Sequence, residues 1–216
     1  MKNIVVLVSG GGTNLQALID GIENGTITNG KIVAVLSSNP NAFALKRAVQ
    51  HNIKTYVLQR KDFLDDNSFY QARLEYIKSQ NTDLIVTAGY MSILDNLLTS
   101  EYRNRIINVH PSLIPSFCGI GYYGMHVHEK VLASGVKLTG ATVHFINEIV
   151  DGGPIIAQKA VAINEDDTPS TLQKRVMEEA EHIILPEAVS LFCNDLLIVN
   201  NNLVSIKKTN NIYTRI

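Results

Sequence analysis

The stretch Ile4-Val5-Val6-Leu7-Val8-Ser9-Gly10-Gly11-Gly12-Thr13-Asn14-Leu15 decides how the chain folds. Ile4–Val8 is wholly apolar and runs into glycines, the pattern of a strand buried on both faces. Leu15, Leu18, Ile19 and Ile22 then recur at helical spacing, and Asn24-Gly25 ends that helix. The glycines between strand and helix let the backbone approach an anion closely. The helix start adds unpaired N–H groups and a partial positive charge. A small phosphate suits this turn better than a dinucleotide. Leu15 stands where GxGxxG needs its third glycine, and the next strand runs into Ser37-Ser38-Asn39 with no acid for a ribose. No Gly-Lys-Ser/Thr follows, so a Walker loop fails too. A tight turn without a ligand is the plainer alternative.

Working outward, Lys31–Leu36, Ile53–Leu58, Leu84–Ala88 and Ile106–Val109 read as further strands, and Ala42–Gln50 as a helix. Asn67 is expected to cap a helix that turns Tyr70, Leu74 and Ile77 inward. Such alternation predicts an α/β fold with a mostly parallel sheet and helices on both faces. The second half changes character. Leu138–Ile146 and Ile155–Ile163 are β-rich runs that predict an antiparallel β extension in the C-terminal half. Thr168-Pro169 starts a helix with the stripe Leu172, Val176, Ala180 and Ile183, which Pro186 should kink or end. The tail after Leu197 predicts an edge hairpin. With no repeat, low-complexity run or linker, residues 1–216 read as a single domain with its core at about 2–192.

The length suffices for a core without disulfides or metals. A net charge of −1 offers no broad positive field for a polyanion, so nucleic acid is not an expected partner. Ile4–Val8 is too short for a signal or a membrane span; no membrane association and a cytoplasmic location are expected. Cys118 and Cys193 make no CxxC pair and are expected to be reduced and chemically minor.

Two further segments can carry chemistry. In a strand, residues two apart share a face, so Asn108 and His110 point together. An amide can donate to a developing oxyanion, and an imidazole can move protons near neutral pH. Asp151-Gly152-Gly153-Pro154 has the chemistry of a tight turn. It can also present a carboxylate to His110, with His144 in a supporting position. His126 and His128 lie near a helix start, where residues two apart diverge, and no third ligand has suitable spacing; no metal is expected.

Together and in this order, these segments resemble the folate-dependent formyltransferases. Ser9–Asn14, Ala88-Gly89-Tyr90-Met91, Asn108–Leu113, Thr142–Phe145 and Asp151–Pro154 carry the likeness, over roughly Lys2 to Phe192. The resemblance implies a Rossmann-like domain that moves formyl from 10-formyltetrahydrofolate to the amine of glycinamide ribonucleotide in purine biosynthesis. It implies catalysis by Asn108, His110 and Asp151 through a tetrahedral intermediate, without a metal. The acceptor phosphate would lie on Gly12, Thr13 and Asn14. The reduced folate would pack near Met91, Ser92, Ile93 and Leu94 and along Asn147 to Asp151. His144 would sit beside the reaction, and Glu181 near the acceptor. Ser92 and Asn67 stand where many members carry arginine. Cys118–Gly124 is longer than in some relatives and reads either as an aromatic lid or as a passive loop. Three other readings compete: initiator tRNA as acceptor, disfavoured by the missing basic surplus; a hydrolase on the same folate, which would carry an added N-terminal domain; and a nucleotide-binding module without chemistry.

Overall fold

In the computed structural model, which describes residues 1–207, nine strands form one sheet. The strands are β1 (Lys2–Val8), β2 (Gly30–Ser37), β3 (Lys54–Val57), β4 (Leu84–Thr87), β5 (Ile106–His110), β6 (Leu138–Phe145), β7 (Ile155–Ala162), β8 (Leu197–Asn200) and β9 (Leu203–Ile206). Their order is β3-β2-β1-β4-β5-β6-β7-β9-β8. The first five are mutually parallel; β6 runs antiparallel to β5, and β7 antiparallel to β6. β8 and β9 form the expected edge hairpin.

The period of two along β1 divides the core. Ile4, Val6 and Val8 face helices α1 (Thr13–Glu23) and α7 (His182–Cys193), meeting Leu15, Leu18, Leu185 and Val189. Val5 and Leu7 face α3 (Asp66–Ser79) and α4 (Asn96–Glu101), meeting Phe69, Leu74, Ile77 and Leu98. Each face of β1 is thus sealed by helices, which is why its sequence carries no polar residue from Ile4 to Val8. Helices α2 (Phe43–Gln50), α5 (Met125–Ala133) and α6 (Pro169–Val176) complete the layers. The sheet is therefore Rossmann-like, and its order reverses between β1 and β4. The loops after those strands flank the crevice where such sheets bind ligands.

Two local expectations change. Asp65, not Asn67, caps α3, its carboxylate accepting from Ser68 N; Asn67 sits inside the first turn. The cap lies two residues earlier, and it is Phe69 that turns fully inward, with Tyr70 at the margin. Thr168 caps α6 as expected, in a reciprocal box with Thr171. A wide π turn, Met177–Glu181, then follows. Its extra residue rotates the downstream face by about 100°, so Ile184 is buried while Ile183 is 39% exposed. Pro186 does not end the helix, which runs on to Cys193. Its missing N–H would have bonded toward His182, directly after the irregular turn. Among the described residues no helix is long and apolar enough to cross a membrane.

Candidate active site

Register across the sheet assembles the polar centre. β4 pairs with β5 so that Thr87 lies beside Asn108, and β5 pairs with β6 so that His144 lies on Asn108's other side. These neighbours form one hydrogen-bonded row. His144 Nδ1 contacts Phe145 O at 2.9 Å; a carbonyl only accepts, so Nδ1 carries the proton. Nε2 is then the acceptor for Asn108 Nδ2 at 3.1 Å. Thr87 Oγ1 donates to Asn108 Oδ1 at 2.6 Å. The carboxamide is thereby held with its oxygen on Thr87 and one N–H on His144, leaving its second N–H to donate elsewhere. Burial, aided by the charge of His110, pushes the pKa of His144 below its usual value, against the Phe145 carbonyl and Asp151. A neutral His144 is what the row requires.

His110 ends β5 two residues on, on the same face. Its Nε2 donates to Phe117 O at 2.9 Å, which turns Nδ1 toward Asp151 Oδ2 at 3.5 Å. Asp151 also faces His144 Nε2, at 3.7 Å, and accepts from Gly119 N at 2.8 Å. The carboxylate therefore ties the 119–124 loop to His110. Its backbone lies at φ 54, a left-handed conformation that aspartate tolerates. Gly153 makes the turn possible: a Cβ there would lie 1.8 Å from Phe145 O.

The anion-side expectation rests on α1. Gly12 takes the N-cap position at φ 74, with no side chain capping the first turn. A Cβ on Gly12 would lie 2.8 Å from Ala44 Cα, so only glycine lets this loop pack on α2. Arg47 Nε braces the loop from behind through Gly11 O at 3.0 Å. Asn14 Nδ2 donates to Glu181 Oε2 at 2.6 Å, and Asn14 Oδ1 is buried without a partner. Glu181 is delivered by the π turn, and burial raises its pKa to about 7. Thr13 Oγ1 reaches Met177 Sδ at 3.5 Å.

The residues expected to act on or bind the substrates, from Gly12–Asn14 and Met91–Leu94 to Asn108, His110, His144, Asn147, Asp151 and Glu181, line one cleft of about 820 Å³, a size typical of small-molecule sites. Met91 and Ile93 form an exposed apolar edge opposite Ile149 and Val150. Ser92 lies on that wall, whereas Asn67 is not among the residues lining the cleft. Asn147 spends its side chain on its own loop, accepting from Ile149 N and donating to Gly152 O. The 119–124 stretch, with Tyr122 and Tyr123, walls the cleft beside Asp151. His126 is exposed on Glu129 while His128 is buried, so the pair diverges. Among the described residues no group of three or more His, Cys, Asp or Glu could hold a metal ion. Cys118 bonds Pro115 O, and burial raises its thiol pKa, which makes it a poor nucleophile. Thr87 escaped the sequence reading. Its signal was positional: it ends a central parallel strand, where ligands gather.

Fold and cleft define a class: a Rossmann-like enzyme with a cleft at the carboxyl ends of its central strands. The Formyl transferase family matches residues 2–189, and the chain belongs to that family. Phosphoribosylglycinamide formyltransferase of Haemophilus influenzae is 39% identical over 203 residues, covering 94% of this chain and 92% of that one. The crystal structure of glycinamide ribonucleotide transformylase 1 from Symbiobacterium toebii superposes with a TM-score of 0.90 at 38% identity, covering 96% and 95% of the two chains. The trifunctional purine biosynthetic protein adenosine-3 of Drosophila melanogaster is 38% identical over 92% of this chain, which spans only 14% of that longer protein.

Proposed function

We propose that this chain, as a single catalytic domain, transfers the formyl group of 10-formyltetrahydrofolate to the amine of glycinamide ribonucleotide, a purine-building step in the cytoplasm. The convergence of Asn108, His110 and Asp151 in one cleft, beside a glycine-capped helix start, carries this reading. Gly12, Thr13 and Asn14 offer backbone N–H groups to the acceptor phosphate, aided by the helix dipole. The apolar edge of Met91–Leu94 and the loop from Asn147 suit the flat ring of a reduced folate. Relatives that carry the printed name of this activity share the whole domain.

In this scheme the acceptor amine attacks the formyl carbon. Asn108 uses its second N–H to donate to the formyl oxygen as negative charge develops there. His110 stabilises the same charge, and Asp151 holds His110 in place. Asp151 then passes the proton of the attacking nitrogen toward the departing folate nitrogen. His144 keeps Asn108 turned, and Glu181 meets the acceptor through Asn14.

The test is formyl transfer by the purified protein with glycinamide ribonucleotide, initiator methionyl-tRNA or water as acceptor. Transfer to the ribonucleotide alone supports the reading. Preference for tRNA or water keeps the donor and overturns the acceptor. No transfer to any of the three overturns both. Asn108→Ala and Asp151→Asn are each expected to lower kcat by about 10²–10³ while acceptor KM moves little; near-wild-type kcat in both removes these roles.

A further inference from the structure

Helix α3 buries an arginine that the chemistry above does not use. Arg73 has no exposed surface, a costly place for a charge unless it is paired. Its guanidinium reaches two points of the loop that follows β4. Nη1 donates to Tyr90 Oη at 3.2 Å, and Nη2 pairs with Asp95 Oδ2. The rings of Phe69 and Tyr70 lie 5.0 and 5.6 Å from the guanidinium carbon. Asp95 is also the N-cap of α4, its other oxygen accepting from Leu98 N at 3.0 Å. Between the two tethered residues lie Met91–Leu94, which no helix or strand covers. On the sheet side, Ser9 Oγ accepts from Met91 N at 2.9 Å. Leu94 also packs against the core beneath, and the ends of the wall are fixed by where Tyr90 and Asp95 are held.

We propose that Arg73 is a positioning residue for the one-carbon donor: by tying Tyr90 and Asp95 to α3, it shapes the Met91–Leu94 wall and so sets donor affinity. This rests on the proposed function, in which that wall receives the folate ring. A planar fork is needed, because one side chain must serve a phenol and a carboxylate at once; an ammonium on a flexible stem cannot hold both in the same geometry.

Arg73→Lys keeps the buried charge, and Asp95→Asn keeps the helix cap while removing the ion pair; one of the two suffices if the other fails to fold. Each is assayed for kcat and for both KM values, alongside amide hydrogen exchange. The expected result is a donor KM raised about tenfold, from one lost charge-assisted hydrogen bond, with kcat and acceptor KM within about twofold and faster exchange confined to residues 89–95. An unchanged donor KM, a shared rise of both KM values with a fall in kcat, or exchange quickened throughout the chain overturns it. If the wild-type protein transfers no formyl group, the donor reading fails with the proposed function. The tether is then judged by exchange alone: confined quickening upholds it, and uniform quickening removes it.

Discussion

Glu181→Gln is expected to abolish a fall in stability that the wild-type protein shows as pH rises. The carboxyl is 5% exposed, and burial lifts its pKa from 4.5 to about 7. Burial keeps the proton, outweighing the Asn14 hydrogen bond, which favours the ionised form. Asn14 Nδ2 donates to Glu181 Oε2, while Asn14 Oδ1 is buried and unpartnered. Below pH 4.5 the group is protonated in both folded and unfolded chains. Above it the unfolded chain ionises while the folded chain holds its proton, so the stabilisation is complete below 4.5 and is lost as pH rises through about 7. A displacement of this size amounts to about 3 kcal/mol. Glutamine mimics the neutral acid, keeping an oxygen for Asn14 Nδ2. Chemical denaturation of wild type and variant from pH 4.5 to 8 is the assay, because their difference cancels the other titrating groups. The variant should match wild type within about 1 kcal/mol at pH 4.5 and exceed it by about 3 kcal/mol at pH 8, a rise in Tm of roughly 6–12 °C. A difference that stays constant across this range refutes the buried proton.

Gly12→Ala places a Cβ 2.8 Å from Ala44 Cα at φ 74, so it should cost about 2–4 kcal/mol and raise acceptor KM at least tenfold while sparing donor KM, checked by thermal melting and initial rates. Thr87→Val leaves Asn108 Oδ1 without its donor and frees the carboxamide to turn over; kcat should fall about tenfold with both KM values near wild type in steady-state assays. His128 is 1% exposed, and burial lowers its pKa from 6.5 to about 4. The stability it lends is present above pH 6.5 and lost as pH falls through about 4, so His128→Leu should retain about 3 kcal/mol more than wild type across that window in acid-denaturation curves.

Local physics made much of this protein legible from its sequence. A short all-apolar run ending near glycines reads as a strand sealed on both faces, and the period of two in Asn108-Val109-His110 puts both polar groups on one side once they lie in a strand. The hydroxyl and proline of Thr168-Pro169 start a helix by satisfying or removing donors that have no other partner. Tertiary structure decided the rest, since these are matters of which distant backbones pair and which faces are buried. The row Thr87–Asn108–His144 exists because β4, β5 and β6 are neighbours in one register; a slip of one residue would turn each side chain to the other face of the sheet. Glu181 points into the cleft because a π turn adds a residue that no spacing in the sequence announces. Arg73 reads as an ordinary helix arginine until α3 packs beneath the 88–95 loop and Asp95 arrives from 22 residues away. Spacing fixes the face of an element, but only non-local pairing and burial fix what that face meets.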